Sequence, residues 1–589
     1  MIDCKPSPRR AWIAAGVAAL ATALAPPARA ACSLKMMELP VKMVGNNAIA
    51  TVAIDGQPVP LVVDTGGFFS MLTEAAASQM NLRLDPLPYG LEIRGLTGKV
   101  RAHMTTVSKL QLGKGTIPNV DFVVGGNEFG NGAMGLMGRN MLSFTDTEYD
   151  LAHGIIRFVF PSEDCDHANL AYWAADTPVA ELALKRQPHE STPELRANIT
   201  LNGRAVSALF DSGATTLVRL SSAHHVGVED SDLTAAGTTY GVGSGRAQVW
   251  TAAFDKVDFG GEAIEHNRLE VADLDMGDDD MLIGIDFFLS HHIYVSKKQS
   301  RMYFTYNGGP VFTLNQGERG RSEGSDAASS TMTADEFARR GAASQSRGDL
   351  AGALADLDRA CAMEPGNVDF LATRATIHAA LESPDLALAD LDAALRLDPA
   401  QDEVRLRRAW LLSEKGERAR TLEDLAALDK HLAPQSDRRR EMAEIYAGLT
   451  LPAQALAQWD LWIAAHRHDV TLDAAYSGRC WARVEMNVDL DKALDDCDEA
   501  VDADSKNASF LDGRGWAYLR LGKLAKAKAD FDRALALKKD DAWSLYGRAL
   551  VHQRLNEGAA AQSDLAAARQ AEHAIDAAIE LAGLPKATP

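Results

Sequence analysis

Two short segments of the sequence place an aspartate directly after an apolar run. Asp64-Thr65-Gly66 follows Pro60-Leu61-Val62-Val63, and Asp211-Ser212-Gly213 follows Ser207-Ala208-Leu209-Phe210. A small hydroxyl residue and a glycine after the aspartate are typical of a tight turn that presents the carboxylate at a strand end. Two carboxylates that share a proton can act together, one as a base toward water and one as an acid toward a carbonyl oxygen. The predicted catalytic pair is Asp64 and Asp211, supported by Thr65, Gly66, Ser212 and Gly213.

The spacing around the two aspartates is duplicated. A glycine precedes each aspartate by eight residues in an Asp-Gly or Asn-Gly pair, and a second glycine follows both aspartates at one common distance. Asp-Gly and Asn-Gly pairs indicate two-residue hairpins, so each aspartate should end the second strand of a hairpin. An apolar-apolar-glycine segment also follows each aspartate, and its two spacings differ by a single residue. The three pairs of landmarks are Gly56 and Gly203, Gly113 and Gly260, and Leu136-Met137-Gly138 and Leu282-Ile283-Gly284.

This duplication predicts two copies of one strand-rich lobe, residues 31–165 and 166–306, each of the size of a small domain. The region from about Leu39 to Tyr306 resembles a fused pair of retropepsin-like lobes of the aspartic proteases, in which two carboxylates share one proton. The resemblance implies an all-β bilobal domain in which the apolar-apolar-glycine segments brace the aspartate turns. It also implies that the hydroxyls of Thr65 and Ser212 tie the turns together. Gly67 departs from the family, where Ser, Ala or Thr usually follows the first triplet.

A glycine-rich turn lies between each aspartate and its brace. Gly98 and Gly245 stand at the same distance from Asp64 and Asp211, respectively. By resemblance, these turns are flap hairpins that close over an extended peptide and exclude water. Two ordinary β-turns are the alternative. The predicted flap residues are Gly95, Leu96, Thr97, Gly98, Gly241, Val242, Gly243 and Ser244.

The second half of the chain has a different pattern. Residues 307–333 are rich in Gly, Ser, Glu and Arg, which predicts a flexible linker. Beyond it, small residues and a proline recur with a constant period that resembles the period of tetratricopeptide repeats. The resemblance implies an all-α solenoid of about seven units over residues 334–575, followed by a tail at 576–589. The recurring positions include Gly341, Ala353, Ala360 and Pro365, then Ala375, Ala387, Ala394 and Pro399.

A repeat solenoid of this kind has a concave groove, whose usual role is to hold another polypeptide. Trp410, Trp481 and Trp516 share one position on the first helix of their units, a position that lines the groove in the resembled fold. We expect them to bind a protein partner through apolar or extended peptide. Packing against a neighbouring unit is the alternative.

The start of the chain predicts export. Basic residues precede the apolar run from Ala11 to Leu24, and Ala28-Arg29-Ala30 offers a small-residue cleavage site, so residues 1–30 are predicted to be a signal peptide. The run is too short for a stable transmembrane anchor. We therefore expect a periplasmic or secreted protein. Anchoring as a lipoprotein through Cys32 is disfavoured, because Arg29 stands where an aliphatic residue is expected.

Cysteines, histidines and charge exclude several kinds of site. Cys32 and Cys165 bracket the first lobe and could bridge in an oxidising compartment, whereas at Cys480 and Cys497 two buried thiols are favoured over a bridge. No Cys-x-x-Cys or His-x-x-x-His spacing is present, so neither a metal nor a cofactor is predicted. A net charge of −21 argues against a nucleic-acid partner.

The leading functional hypothesis is an exported aspartic endopeptidase whose repeat scaffold recruits a peptide or protein substrate or a partner. One alternative is a catalytically silent peptide-binding domain on a protein-interaction scaffold of the cell envelope. Another is an envelope assembly factor in which the repeats carry the main function.

Overall fold

The computed structural model describes residues 32–89, 91–95, 98–126, 132–175, 177–185, 194–239, 247–308, 311–312, 332–467, 469 and 471–587. The predicted signal peptide and most of the predicted linker lie outside these ranges. Up to Tyr306 the described chain is built mainly from β-strands, and from Ala334 onward its regular structure is helical. The predicted fold class, a β-rich domain followed by an α-helical repeat array, is confirmed.

The first lobe contains twelve described strands and two short helices. The strands are β1 (Leu34–Val44), β2 (Asn47–Ile54), β3 (Gln57–Val63), β4 (Met71–Leu72), β5 (Asp85–Pro86), β6 (Ile93–Gly95), β7 (Gly98–Val100), β8 (Ala102–Leu112), β9 (Gly115–Gly125), β10 (Gly135–Met137), β11 (Asp146–Asp150) and β12 (Ile155–Pro161). The helices are α1 (Glu74–Gln79) and α2 (Arg139–Leu142).

The second lobe repeats this order of elements in a shorter form. Its described strands are β13 (Ala180–Ala183), β14 (Arg196–Leu201), β15 (Arg204–Phe210), β16 (Leu217–Arg219), β17 (Thr234–Thr239), β18 (Ala247–Asp258), β19 (Ala263–Ala272), β20 (Met281–Ile283), β21 (His291–Ser296) and β22 (Arg301–Tyr306). Its helices are α3 (Leu220–His225) and α4 (Ile285–Ser290).

Matching hairpins deliver the two aspartates. β2 pairs antiparallel with β3 through Asp55-Gly56, and β14 pairs with β15 through Asn202-Gly203. All four turn residues have positive φ, at 49° and 88° in the first turn and 48° and 77° in the second. Two successive positive φ values suit a type I′ hairpin, which Asp-Gly and Asn-Gly favour. The hairpins predicted from these pairs are therefore present.

The two lobes share a continuous sheet. Its strands run in the order β13-β22-β21-β11-β12-β1, and β11 of the first lobe pairs antiparallel with β21 of the second. Thr147 lies opposite Val295, and Tyr149 lies opposite Ile293. Because backbone hydrogen bonds cross between the lobes, the separation of the two aspartate turns is set by one sheet rather than by a loose interface.

Seven helical hairpins form the repeat array. Their helices pair in chain order, and a shorter last helix follows them. The helices are α5 (Ala334–Ser346), α6 (Leu350–Met363), α7 (Val368–Ala380), α8 (Pro384–Leu397), α9 (Asp402–Glu414), α10 (Arg418–His431), α11 (Arg438–Gly448), α12 (Pro452–Ala465), α13 (Leu472–Met486), α14 (Leu490–Ala503), α15 (Ala508–Arg520), α16 (Leu524–Leu537), α17 (Ala542–Arg554), α18 (Gly558–Ala571) and α19 (Ile575–Leu581).

The fifth unit is irregular, as its sequence indicates. Its first helix begins at Leu472, earlier than the Gly478 from which the sequence pattern identifies the unit. The turn between α13 and α14 contains two residues with positive φ, Asn487 and Asp489. The extra residue of this unit lies in α13 and not in the turn, which has three residues as in the other units; Arg479 therefore pairs with an aspartate 17 residues later, whereas its counterparts pair at 16.

An arginine–aspartate ladder runs along the array. In six of the seven units an arginine on the first helix forms an ion pair with an aspartate on the second, and in five of these it also contacts an aspartate of the preceding unit. The fourth unit instead has Met442 and Gln458 at these positions. Paired hydrogen bonds between guanidinium and carboxylate fix the helix–helix geometry. The six pairs are Arg340–Asp356, Arg374–Asp390, Arg408–Asp424, Arg479–Asp496, Arg514–Asp530 and Arg548–Asp564.

The first helix of the array packs against the β-rich domain. Ala342 and Ala343 of α5 are buried in the same hydrophobic cluster as strands of both lobes. Ser346 Oγ donates a hydrogen bond to the main-chain oxygen of Gly45 at 2.7 Å. The sequence pattern predicts a flexible tether as the connection and gives no signal of this contact. The array is therefore attached to the β-rich domain directly through α5.

Two disulfide bridges are present, and one of them corrects an expectation. Cys32 and Cys165 are bridged, with Cα atoms 4.7 Å apart, and Cys361 is the free cysteine of the described chain. The preference for two thiols at Cys480 and Cys497 is wrong, because α13 and α14 bring their Cα atoms to 5.6 Å and the sulfurs form a bridge. That separation lies within the ordinary range for disulfides.

Replacing both Cys480 and Cys497 by alanine is expected to destabilise the α13–α14 hairpin. In the chain-entropy account, a bridge that closes a loop of this size contributes about 3 kcal/mol. Faster hydrogen exchange of the α13 and α14 amides should report this loss. Cys361→Ala serves as a control, because it removes a buried thiol from α6 but breaks no bridge. Unchanged exchange in the double variant would contradict a stabilising bridge.

Candidate active site

The structure brings the two predicted aspartates together. Asp64 follows β3 and Asp211 follows β15, and their carboxyl groups lie close enough for each to shift the pKa of the other. Asp211 is buried and Asp64 is half-buried. Each lobe thus contributes one carboxyl group to a single pair, which is the arrangement that sharing a proton requires.

Reciprocal hydrogen bonds join the two aspartate turns. The Thr65 N–H donates to Ser212 Oγ at 3.2 Å, and the Ser212 N–H donates to Thr65 Oγ1 at 2.9 Å. Each hydroxyl then donates to the strand end of the opposite lobe, Thr65 Oγ1 to the Phe210 oxygen at 2.8 Å and Ser212 Oγ to the Val63 oxygen at 2.9 Å. These four bonds are buried, so they hold one turn rigidly against the other.

The glycines of each turn lie against the carboxyl group of the other lobe. A Cβ at Gly66 would lie 2.4 Å from Asp211 Cγ, and a Cβ at Gly213 would lie 2.8 Å from Asp64 Cγ. Both distances are shorter than a van der Waals contact, so any side chain at these positions would push the carboxyl groups apart. The Gly213 N–H also donates to Asp211 Oδ1 at 2.8 Å, and the Gly67 N–H donates to Asp64 Oδ1 at 2.6 Å.

A short strand braces each aspartate from behind. β10 runs parallel to β3, and β20 runs parallel to β15. The Asp64 N–H donates to the Met137 oxygen at 3.0 Å, and the Asp211 N–H donates to the Ile283 oxygen at 2.8 Å. The apolar-apolar-glycine segments therefore lie where the resemblance places them, and each aspartate backbone is held by its own lobe.

Each brace carries a supporting polar pair that the sequence interpretation missed. In the first lobe, Ser70 Oγ accepts from the Gly138 N–H at 3.0 Å and donates to Asn140 Oδ1 at 2.7 Å. In the second, Thr216 Oγ1 accepts from the Gly284 N–H at 2.9 Å and donates to Asp286 at 2.5 Å. The signal was available in the duplication, because Asn140 and Asp286 both stand two residues after the brace glycine.

These pairs also explain the departure at Gly67. Ser70 lies six residues after Asp64, whereas its counterpart Thr216 lies five residues after Asp211. The first aspartate turn is therefore one residue longer, which accounts for the single-residue difference between the spacings of the two braces. Gly67 belongs to this longer turn, where its N–H contacts the Asp64 carboxyl group.

Arg139 makes the two carboxyl groups inequivalent. This buried arginine follows the first brace, pairs with Glu194 at 3.2 Å, and lies over the Phe68 ring at 5.3 Å. Its charge lowers the pKa of Asp64. Ile285 occupies the corresponding position of the second lobe, so Asp211 receives no such charge from its own brace.

Burial raises the pKa of both aspartates, but the other causes of the pKa shift differ between the two. For Asp64, the rise is opposed by the Gly67 N–H, by the neighbouring Asp211 carboxyl group and by Arg139. For Asp211, burial and then the neighbouring charge of Asp64 hold the pKa well above its usual range. A proton shared by the pair is therefore held more strongly at Asp211, and Asp64 is the better base.

The predicted flap residues are only partly described. β6 and β7 form a two-stranded hairpin in which Gly95 pairs with Gly98, while Leu96 and Thr97 lie outside the described residues. In the second lobe β17 and β18 pair as far as Thr239 and Ala247. Gly241, Val242, Gly243 and Ser244 also lie outside the described residues. The flap role stays a prediction for both turns.

The three predicted groove tryptophans occupy different environments. Trp516 is 0% exposed, packs edge-on against Phe531 of its own unit and lies 6.4 Å from the Trp481 ring of the preceding unit, an environment that fits the packing alternative. Trp481 is half-buried and lines a cavity between units four and five. Trp410 is half-buried and lies near Glu441, where burial raises the pKa of the carboxyl group and Trp410 helps to lower it. Shared repeat register alone does not separate these cases, because the neighbouring residues differ.

The described part of the chain offers neither a cluster of metal ligands nor a membrane-spanning helix. Within it, no group of three or more His, Cys, Asp or Glu side chains could hold a metal ion. None of its helices combines the length and apolar character needed to cross a membrane.

Three solved structures are similar to the helical region. A tetratricopeptide repeat protein from Parabacteroides merdae shares 20% identity and a TM-score of 0.34, over 42% of this chain and 98% of that one. The APC/C hetero-tetramer Cut9-Hcn1 shares 13% identity and a TM-score of 0.31, over 37% of this chain and 42% of that one. YrrB, a TPR protein with an unusual peptide-binding site, shares 18% identity and a TM-score of 0.29, over 33% of this chain and 97% of that one. No curated protein matches the chain.

Comparison with protein families agrees with the two halves of the molecule. Residues 50–144 match the family model described as gag-polyprotein putative aspartyl protease, and residues 197–287 match the model described as aspartyl protease. Residues 508–541 match the tetratricopeptide repeat model. The chain therefore carries two aspartyl-protease-like segments followed by tetratricopeptide repeats.

Proposed function

We propose that the protein is an aspartic endopeptidase in which Asp64 and Asp211 activate water, and in which the repeat array recruits substrate or partner proteins. The observation that carries the proposal is the adjacent pair of carboxyl groups, one from each lobe, whose turns are held together by the reciprocal hydrogen bonds of Thr65 and Ser212. A structural role alone would not need two acidic groups that burial makes costly to ionise together.

The unequal pair suggests how hydrolysis would proceed. Asp64 would take a proton from water as the water oxygen bonds to the peptide carbonyl carbon, while Asp211 donates its proton to the carbonyl oxygen. The resulting tetrahedral diol would collapse as its hydroxyl proton returns to Asp211 and the leaving nitrogen takes the proton held by Asp64. The C–N bond breaks in this step, and both carboxyl groups regain their starting protonation state.

Export is the proposed localisation. Two disulfides support it, because such bridges persist mainly in oxidising compartments. Cys32 is one of the bridged residues, so its sulfur is not free for a lipid anchor. We therefore favour a periplasmic or secreted protein over a lipoprotein.

The direct test uses purified mature protein and a denatured protein substrate across a range of pH, with and without a statine-type transition-state inhibitor. The proposal predicts cleavage that the inhibitor suppresses. If the inhibitor binds by calorimetry but no substrate is cleaved, the domain is a catalytically silent peptide binder. If it neither binds nor cleaves, the proposed site is wrong.

A bell-shaped pH dependence is expected, because the working state holds one proton across two carboxyl groups. The acid limb reports protonation of the more acidic carboxyl group, whose pKa Arg139 lowers. Replacing Arg139 by glutamine should therefore raise that pKa and move the acid limb of kcat/KM to higher pH. Arg83→Gln removes an exposed charge remote from the pair and should leave the profile unchanged. A shift of the acid limb to lower pH would contradict the inferred field of Arg139.

A further inference from the structure

A cavity of about 360 Å³ opens between the fourth and fifth units of the array. Residues of α11, α12 and α13 line it, and many of them are alanine. Two carboxylates, Glu444 and Glu485, and two indoles, Trp459 and Trp481, stand among these small residues. The cavity falls within the range of ligand sites and combines an apolar wall with a few polar groups, as such sites usually do.

Glu485 brings to the cavity a carboxyl group that has no cationic partner in the described chain. In the described ranges no Lys, Arg or His forms an ion pair with its carboxylate, and burial raises the pKa of Glu485 to about 7. Arg520 approaches this residue but donates to its main-chain oxygen, at 3.4 Å. Glu444 differs, because Arg440 already pairs with it at 3.0 Å. A half-buried carboxylate without a cation is costly to ionise, and an arriving cation would remove that cost.

Trp459 adds an independent polar group. Its side chain is 3% exposed, and its indole Nε1 has no hydrogen-bond acceptor within the described chain. Nε1 would lie 3.0 Å from a Cβ at Gly478, so only a glycine there leaves room for the indole, and both residues line the cavity. A buried donor left unpaired costs about 1–3 kcal/mol. A carbonyl oxygen in the cavity would satisfy it.

We propose that this cavity binds a Lys or Arg side chain of an extended polypeptide, with Glu485 as its ion-pair partner and the Trp459 N–H as donor to a main-chain carbonyl of the same segment. The half-buried ring of Trp481 supplies an aromatic wall for the cation and its methylene stem. An acidic side chain would face two carboxylates, and an apolar one would leave Glu485 unpaired. This assignment concerns the repeat array and does not depend on peptidase activity.

The binding test uses the full mature chain with Asp64→Asn, so that bound peptide is not cut. The probes are fluorescein-labelled twelve-residue peptide mixtures with Ala, Ser, Leu and Tyr in equal amounts around one fixed central residue, which is Lys, Arg, norleucine or Glu. Anisotropy titrations give each affinity. The Lys or Arg mixtures should bind about tenfold more tightly than the norleucine mixture, a difference of about 1.4 kcal/mol. Equal affinity for Lys, Arg and norleucine would overturn the proposal.

Two variants separate the named contacts from diffuse attraction to an acidic protein. Glu485→Gln should abolish the preference for a basic residue while keeping the shape of the side chain. Glu499→Gln, on the exposed surface of α14 in the same unit, should preserve the preference. An equal loss in both variants would assign the preference to net charge and overturn the site.

Trp459→Phe keeps an aromatic ring but removes the indole N–H. It should weaken binding of the Lys, Arg and norleucine mixtures by a similar factor, because the main-chain acceptor is common to them. Unchanged affinity would overturn the role given to Trp459. Because every arm measures binding in a chain that cannot use Asp64, absence of peptidase activity in the parent protein leaves these outcomes unaffected.

Discussion

Replacing either Asp64 or Asp211 by asparagine is expected to reduce peptide hydrolysis by about 10² to 10⁴-fold, the usual contribution of one general acid or base. The amide has nearly the shape of the carboxyl group but cannot share the proton. Turnover of a denatured substrate, measured for each single variant and for the double variant, checks the prediction. Because the two groups act as one unit, the double variant should lose little more than either single variant.

The control for this prediction must separate chemistry from folding. Asp273→Asn changes an exposed aspartate of the second lobe and should retain wild-type turnover. Hydrogen exchange of β3, β10, β15 and β20 should be nearly unchanged in both active-site variants, since the tie between the turns does not involve the carboxyl groups. Wild-type turnover in either Asp64→Asn or Asp211→Asn would show that the pair is not catalytic.

Thr65→Val is expected to loosen the junction between the two lobes. The valine has a similar shape but leaves the Ser212 N–H without its acceptor and the Phe210 oxygen without its donor. Two buried groups left unpaired cost about 2–6 kcal/mol, at about 1–3 kcal/mol each. Hydrogen exchange at β3 and β15 measures this loss locally, which suits a chain whose parts need not unfold together. Hydrolysis should also fall, because the carboxyl groups would no longer be held in one geometry.

Thr65→Ser is the matched control. It keeps the hydroxyl that both accepts from Ser212 and donates to Phe210, and removes only a methyl group. Exchange and hydrolysis should therefore remain much closer to wild type than in Thr65→Val. If the two variants behave alike, the methyl packing of Thr65 matters and the hydrogen-bonded tie does not.

Much of the fold was predictable from two features of the sequence, the residue types in the turns and the internal duplication. The Asp55-Gly56 and Asn202-Gly203 turns follow from residue type alone, because few other pairs accept two successive positive φ values. The matched spacing of the aspartates and braces predicts that one lobe occurs twice. The seven repeat units follow in the same way from the regular recurrence of small residues and proline.

Contacts between distant or individually variable residues were not predictable. The docking of α5 rests on Ala342 and Ala343, which in a repeat look like ordinary small residues. Arg139 is one arginine among many until folding buries it near Asp64. Trp481 and Trp516 share a register position, yet Trp516 is enclosed by Phe531 and its neighbours while Trp481 stays half-buried. The environment of each side chain depends on the residues that pack against it, and the repeat period does not specify those residues.

The packing of α5 against the β-rich domain changes how a bound polypeptide would be presented to the two carboxyl groups. A flexible tether would offer a broad distribution of distances, and hence many potential cleavage points. Here the first helix of the solenoid is part of the hydrophobic core of the β-rich domain. The solenoid therefore extends from that domain in a fixed direction. A polypeptide bound at one repeat unit would reach the two carboxyl groups only after a fixed number of its residues. The position of cleavage would then depend on the number of residues between the bound segment and the cleaved bond, as well as on the local sequence.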